Sequence, residues 1–370
     1  MGQVDITGSL NNTVREYFQH FRQTTMNPVW QDFLTRHGAT LADGIVQDFG
    51  DSAAELNEAK HGSILCDLSQ FGTLRVSGEE AQSFLQNLFS NDIREADATR
   101  AQYSSFNSAK GRLLATMLVW REGGDYMLQL PRVLCEPIRK KLTMYVLRAK
   151  VKISDASDEI VVLGLSGANA REILHTHFGE LPNQTLGAGT AEQRNVIRIG
   201  EQRYQISSTV TDAAAMWATY AQRCRQAGSA CWDWLAIRSG IPVILPQTQE
   251  QFVAQMVNLE LLGGVNFKKG CYPGQEIVAR MQYLGKLKRR MYLAHLDSGT
   301  APMPGDELFS ADMEGQASGM IVNAARSPDG GYDLLATVQN SSRETQVVHW
   351  KSLQGEPLEF LPLPYTLPDA

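Results

Sequence analysis

The chain has 370 residues, of which 43% are apolar and 20% are charged, and its formal net charge at pH 7 is −6. This length predicts two or three domains rather than one core, and the acidic balance argues against a chain devoted to coating nucleic acid, so no direct nucleic-acid binding is expected. No apolar run approaches the roughly 20 residues that cross a bilayer, and the first 30 residues lack the apolar core of a secretory signal, so no membrane association is expected.

The cysteines indicate a reducing compartment. There are five, at positions 66, 135, 224, 231 and 271, and no two are spaced as CxxC. An odd count in a chain this long and this poor in cysteine argues against a disulfide scaffold. The predicted location is the cytoplasm, with most thiols buried as small apolar side chains.

Residues 1–60 are polar, with short helical stretches such as 29–37, and are predicted to form an N-terminal helical extension that packs onto the main body. An internal repeat comes next. Residues 74–89 and 163–178 align at an offset of 89, each as a short strand, a Ser-Gly turn and a helix. The alternative is two generic strand–helix units that look alike by chance. Ser77 and Glu80 predict a capping box at the start of the first helix.

The segments after the two repeated helices also correspond. Strands 111–120 and 126–130 flank a Gly-Gly turn, and Pro131 opens a helix that Pro137 is expected to kink or split. After the second copy, 195–199 and 203–207 predict a hairpin around Gly200, and a helix is predicted over 212–226. Two βαββα units predict an α+β fold with two tandem ferredoxin-like halves, at 61–155 and 156–285.

The pattern changes at the start of the last segment, 286–360. Stretches 291–296, 319–324 and 332–338 are short strands separated by Pro- and Gly-rich turns, which predicts a small C-terminal β-barrel or sandwich. The tail 357–370 carries four prolines and is predicted to be extended.

One segment carries distinctive chemistry, the run KKGCYPGQE at 268–276. Glycines on both sides free the backbone around Cys271, and Pro273 predicts the first turn of a helix over 274–281. A cysteine just before a helix N-terminus and beside two lysines is favoured as a thiolate, which suits a nucleophile or a metal ligand. The alternative is a turn cysteine that lies among lysines by chance. No Cys or His lies within five residues, so no local metal site is predicted.

This segment resembles the K-G-C-x-x-G-Q-E signature of the YgfZ family. The likeness extends over roughly residues 60–350 and includes NSAKGR at 107–112 and RSGIP at 238–242. That family is similar to the T-protein of glycine cleavage, GcvT, and has a mitochondrial iron–sulfur assembly factor as a relative. The resemblance implies three domains in a ring around a central hole that accepts tetrahydrofolate. It also implies a role in assembling or repairing iron–sulfur enzymes, including those that modify tRNA, as protein clients.

The working hypothesis that follows from the motif and the resemblance gives roles to single residues. Cys271 would act at the mouth of the folate cavity, with Lys269 keeping it ionised beside Lys268, and Glu276 holding the loop or handling a proton with Gln275. The candidates for holding the folate are Arg112, Arg238, Lys268, Tyr272 and Gln275. The basic cluster Lys286, Lys288, Arg289 and Arg290 could hold the anionic folate tail, contact RNA phosphate or guard a strand edge.

The chain departs from the T-protein pattern where that protein has acids. The matching positions here are Ala115, Thr116 and Arg238, which cannot handle a proton at a folate nitrogen in the same way. Whether the chain is an enzyme therefore stays open. One rival to the accessory function is a folate-dependent aminomethyl or other one-carbon transferase, and the other is a non-catalytic module that docks onto an iron–sulfur enzyme.

Overall fold

The first described helix shows how the N-terminal segment joins the body. The computed structural model describes residues 26–283, 285 and 287–368, so residues 1–25 of the predicted extension and Lys286 lie outside it. Helix α1 (Pro28–Arg36) begins at Asn27, whose side chain accepts hydrogen bonds from the backbone of the first turn. Its buried Trp30 donates through Nε1 to Asp67, 2.7 Å away. The predicted helix over 29–37 is confirmed, and its apolar face belongs to the second half's core.

A hairpin and a second helix complete this segment. Strands β1 (Thr40–Ala42) and β2 (Ile45–Asp48) pair antiparallel. The two residues between them, Asp43 and Gly44, both have positive φ, as a tight Asp-Gly hairpin turn requires. Helix α2 (Ser52–His61) then leads into strand β3 (Ile64–Asp67).

The first repeat forms a five-stranded sheet with the order β5-β6-β7-β4-β8. Its elements in chain order are β4 (Phe71–Ser77), α3 (Ala81–Gln86), β5 (Gln102–Asn107), β6 (Leu113–Glu122), β7 (Asp125–Pro131), α4 (Arg132–Val146) and β8 (Lys152–Asp155). Both helices bury apolar side chains in a core that the strands share. The predicted hairpin and the helix after it are confirmed.

The second repeat copies this plan. Its elements are β9 (Val161–Ser166), α5 (Ala170–Phe178), β10 (Ala188–Ala191), β11 (Arg194–Arg198), β12 (Arg203–Ser208), α6 (Val210–Tyr220) and β13 (Arg225–Ala227). The sheet order is β10-β11-β12-β9-β3-β13. Strand β3 pairs antiparallel with β9, as β8 does with β4. A strand that precedes the first repeat in the chain therefore belongs to the second repeat's sheet.

Three local predictions are wrong in detail. Helix α3 begins after Glu80, and no side chain caps it, so Ser77 forms no capping box because it ends strand β4 instead. The split predicted at Pro137 is wrong, since α4 is continuous and is held by buried residues on both sides of the proline. The kink that was its alternative stays a prediction. Helix α6 ends at Tyr220, because the chain must turn to add β13 beside β3, so it does not run to residue 226.

The C-terminal segment forms a six-stranded sheet with the order β18-β15-β16-β17-β14-β19 and its own apolar core. Helices α7 (Ser229–Arg238) and α8 (Gln275–Tyr283) precede it in the chain. Its elements are β14 (Arg289–Leu296), β15 (Glu307–Phe309), β16 (Ala317–Arg326), β17 (Tyr332–Gln339), α9 (Asn340–Thr345), β18 (His349–Trp350) and β19 (Glu359–Leu361). The tail returns to the body, where Tyr365 Oη donates to Gly240 O over 2.9 Å. Among the described helices, none is long and apolar enough to span a bilayer.

Candidate functional site: a cysteine loop and an internal cavity

The loop that carries Cys271 packs against the turn before β6. Gly274 has φ +77°, and a Cβ there would lie 2.4 Å from the backbone of Gly111. Gly111 itself has φ +69° and would clash in return with Gly274 O and Ile277. The two sequence motifs, KGCYPGQE and NSAKGR, therefore meet backbone to backbone at a contact that only glycine permits.

The close approach gives a testable difference between the two glycines that flank Cys271. We expect Gly274→Ala to lower the free energy of unfolding by about 2 kcal/mol, because the new Cβ overpacks the contact and L residues strain at positive φ. Urea denaturation measures it. Gly270→Ala is the matched control: no atom lies within 4 Å of its added Cβ. Equal effects of the two substitutions would contradict the packing of this loop.

Lys269 anchors the same loop to the first half. Its side chain is only 6% exposed, and its ammonium donates to the carbonyls of Gln86, Phe89 and Asn91 at 2.7, 2.5 and 2.9 Å. These carbonyls lie at and just after the C-terminus of α3, where a cation is favoured. Burial lowers the pKa of Lys269 to about 8, and Asp92 acts in the opposite direction. The three donors of the ammonium are thus used by the main chain.

Cys271 differs from the other four cysteines in being exposed. Cys66, Cys135 and Cys231 are buried and Cys224 is half-buried, and all five are free thiols. The described residues contain no cluster of three or more His, Cys, Asp or Glu side chains able to hold a metal ion. Cys271 is therefore the one cysteine of the five whose whole side chain a large partner can approach.

A large cavity lies between the N-terminal segment, the first half, α7 and the C-terminal sheet. Its volume is about 850 Å³, within the range of small-molecule sites. A smaller inner chamber of about 70 Å³ shares its walls at Phe71, Pro131, Ala236, Ile241 and Val243. The β1–β2 turn, at Asp43 and Gly44, lines the outer part. The N-terminal segment thus contributes to the cavity wall.

The outer cavity holds a carboxyl group with an altered acidity. Asp233, on α7, lines the cavity and accepts a 3.3 Å hydrogen bond from Gln70 Nε2. Burial raises its pKa to about 6, against the opposing effects of Gln70 and Arg203. A carboxyl group of this kind changes protonation near neutral pH, as groups at binding and catalytic sites often do.

The inner chamber combines a flat apolar wall with a buried cation. The guanidinium of Arg203 lies over the Trp232 ring, 4.6 Å from its centroid. Its Nη1 donates to Leu235 O at 2.7 Å and to Ser239 Oγ at 2.8 Å. Burial lowers the pKa of Arg203 to about 10, which still leaves it charged at pH 7. Trp232 fits only because residue 164 is glycine, since a Cβ there would lie 2.5 Å from the indole.

The chain is similar to known proteins over most of its length. Residues 28–207 match the family model for the GCVT N-terminal domain. The tRNA-modifying protein YgfZ of Edwardsiella ictaluri (strain 93-146) is 31% identical over 307 residues, which cover 82% of this chain and 92% of that relative. The chain belongs to the YgfZ family. The YgfZ protein of Cronobacter sakazakii (strain ATCC BAA-894) is 29% identical over 320 residues, 83% of this chain and 94% of the relative.

The fold of this YgfZ family member is that of the glycine cleavage T-protein. The aminomethyltransferase T structure from Bartonella henselae superposes with a TM-score of 0.74 at 17% identity, over 93% of this chain and 98% of that one. The predicted family is confirmed, and so is the GcvT-like α+β fold as a whole. The predicted domain boundaries stay predictions.

The predicted folate residues lie away from the cavity wall. Arg112 Nη1 donates to Gln251 O over 2.7 Å, and Arg238 pairs with Asp333 at 3.5 Å beside β17. In the YgfZ motif, Tyr272 is buried with Lys269 over its ring, while Lys268 and Glu276 are exposed and Gln275 is half-buried at the start of α8. The structure brings Arg112's turn to the cysteine loop, and it leaves Arg238 apart from both.

Sequence reasoning missed Asp233, Arg203, Gln129 and Gln205 as residues of the cavity. The sequence offers one signal nearby, the pair Trp232 and Trp234 that flanks Asp233, but two tryptophans in a short helix fit core packing better than a cavity lining. The basic cluster near β14 has internal partners in its described part. Arg290 pairs with the buried Glu260 at 2.8 Å, and Arg289 donates to Ala317 O.

Proposed function

We propose that this chain is a tetrahydrofolate-binding accessory protein that supports the assembly or repair of iron–sulfur enzymes, including those that modify tRNA, and that it acts through Cys271. The cavity of about 850 Å³ carries the proposal. Its walls combine apolar surface with Asp233 and Arg132, and the adjoining inner chamber adds Arg203. Such a lining suits a ligand with a flat polar heterocycle and an extended stem. The names of the relatives, which are tRNA-modifying proteins, support the link to tRNA.

Cys271 supplies the proposed chemistry on the outside of the molecule. An exposed thiol in a glycine-flanked loop is accessible to an iron–sulfur client, either as a nucleophile or as a transient ligand to iron or sulfur. In this proposal Lys269 and Tyr272 fix the loop, and Lys268, Gln275 and Glu276 border it. The free thiols support a reducing compartment, and we place the protein in the cytoplasm.

A one-carbon transferase of the T-protein type is the second candidate, because the fold is shared over nearly the whole chain. Bound tetrahydrofolate would supply the nitrogens that accept a one-carbon unit. Thr116, at one of the positions where the T-protein has an acid, donates to Pro242 O at 3.1 Å and accepts from Ile244 N. Its hydroxyl thus ties β6 to a loop. Turnover of an amine donor with tetrahydrofolate by the purified protein would favour this candidate.

The proposed folate site is tested by titrating the purified protein with tetrahydrofolate and following tryptophan fluorescence. Trp232 lines the inner chamber, so its emission should change on binding. We expect saturable binding in the micromolar range, about −8 kcal/mol. A titration without saturation up to millimolar ligand would refute the folate site.

The part played by Cys271 is tested separately. Cys271→Ser should abolish the ability of the chain to restore iron–sulfur enzyme activity in cells that lack their own YgfZ protein, while folate binding in vitro is retained. Cys224→Ser, at a half-buried thiol, is the matched control and should complement. Full complementation by Cys271→Ser would favour the non-catalytic docking module instead.

A further inference from the structure

The carboxylate of Asp233 has unused acceptor capacity inside the cavity. An ionised carboxylate offers about four acceptor positions, and Gln70 Nε2 occupies one of them at 3.3 Å. Among the described residues, no ion pair within 4 Å includes Asp233. The nearby Arg203 directs Nη1 to Leu235 O and Ser239 Oγ instead. A buried carboxylate that has no ion pair and few hydrogen bonds within the protein destabilises the fold, unless a ligand donates the missing hydrogen bonds.

The inner chamber has the complementary property, unused donors. Gln129 Nε2, Gln205 Nε2 and Arg203 Nε are buried and have no hydrogen-bond partner in the described part of the chain. All three residues line the inner chamber and are less than 10% exposed. Buried polar groups in folded proteins are nearly always satisfied. Three donors left open around one small chamber therefore point to acceptor atoms of a ligand.

We propose that Asp233 is a ligand-binding carboxylate that accepts from the N–H edge of a flat heterocycle, whose carbonyl and ring-nitrogen acceptors are bound by Gln129, Gln205 and Arg203. The proposal rests on the folate function, because the amino-pyrimidinone ring of a pterin carries donors and acceptors of this kind. Trp232 and Phe71 supply the apolar walls for its faces.

Charged and titratable groups lie near Asp233 on several elements. Arg203 comes from β12, Cys66 from β3 and Cys231 from α7 itself. Burial raises the pKa of Cys66 well above its usual value and that of Cys231 to about 12, so both thiols are uncharged at neutral pH. Arg203 favours the ionised carboxylate that the ligand's donors require. Arg132, at the start of α4, and Asp43, in the β1–β2 turn, are the other charged residues that line the same cavity as Asp233.

The test uses 5-formyltetrahydrofolate, which is stable in air, and tryptophan fluorescence. Asp233→Asn should raise Kd at least about tenfold at pH 7.5, the effect of losing hydrogen bonds to a charged acceptor. Gln205→Leu should also weaken binding, while Asp297→Asn, at an exposed site just after β14, should not. The affinity of the unmodified chain should rise as pH increases through about 6, where Asp233 ionises, and that of Asp233→Asn should be flat.

The outcomes separate the two proposals. If the unmodified chain does not bind the probe, the folate function fails and this inference fails with it. If it binds and Asp233→Asn binds equally well with the same pH profile, the inference alone is overturned. A role of Asp233 in folding only would lower the stability of Asp233→Asn without removing the pH dependence of binding by the folded fraction, and that result would also overturn it.

Discussion

Lys269→Met is expected to lower the free energy of unfolding by about 3 kcal/mol. Methionine fills a similar volume but cannot donate, so the carbonyls of Gln86, Phe89 and Asn91 would lose their shared donor. Leaving several buried acceptors unsatisfied outweighs the gain from no longer burying an ammonium. Urea denaturation followed by far-ultraviolet circular dichroism measures the change.

Lys268→Met is the matched control, since the neighbouring lysine side chain is exposed, and we expect a change within about 0.5 kcal/mol. The comparison also separates two roles for the pair of lysines. If Lys269→Met were as stable as the unmodified chain but failed to complement in cells, Lys269 would act on Cys271 rather than as an anchor, and the structural assignment would be wrong.

Asp233→Asn is expected to raise the free energy of unfolding of the ligand-free protein at pH 8, whereas Lys269→Met lowers it. Burial holds the pKa of Asp233 at about 6, above its ordinary value of 3.8. The folded protein therefore favours the protonated form of Asp233. The contribution of this form to the free energy of unfolding is fully present below pH 3.8 and is lost as pH rises through about 6. The difference between the two pKa values corresponds to about 3 kcal/mol of lost stability at pH 8. We expect Asp233→Asn to raise the free energy of unfolding by about 2 kcal/mol, because Asp233 opens onto the cavity and is partly solvated.

Thermal unfolding at pH 4 and pH 8 tests this expectation. The melting temperature of Asp233→Asn should exceed that of the unmodified chain at pH 8, and the two should converge at pH 4. A variant that is less stable at both pH values would show that the carboxylate is a structural acceptor. Higher stability together with weaker folate binding is the result expected of a group kept for function at the expense of the fold.

Local patterns were sufficient for much of the architecture. The repeat at an offset of 89 residues predicted two copies of one module, and both copies form with the same order of four strands. The motif at 268–276 predicted a glycine-flanked cysteine just before a helix, and Cys271 does precede α8. Its exposure is a finding of the structure. Helix ends were less accurate, because α3 and α6 stop where the chain must turn to reach a neighbouring strand.

Partners distant in sequence could not be predicted. The placement of β3 beside β9 depends on which free sheet edge the strand meets, and its sequence suits either one. Lys269 was predicted to act on the adjacent cysteine, yet its ammonium contacts carbonyls about 180 residues earlier in the chain. Asp233 had no signal of its own, because a carboxylate on an amphipathic helix usually faces water.

The sequence by itself determined the family, the duplicated α+β plan and the single unusual cysteine, since these depend on periodicity and on residues that are neighbours in the chain. The tertiary structure alone decided which side chains meet in the cavity. Asp233, Arg203, Gln129 and Gln205 come from three different elements and are brought together only when the two sheets and α7 pack. Their desolvation, and with it the acidity of Asp233, is a property of that packing and not of any segment.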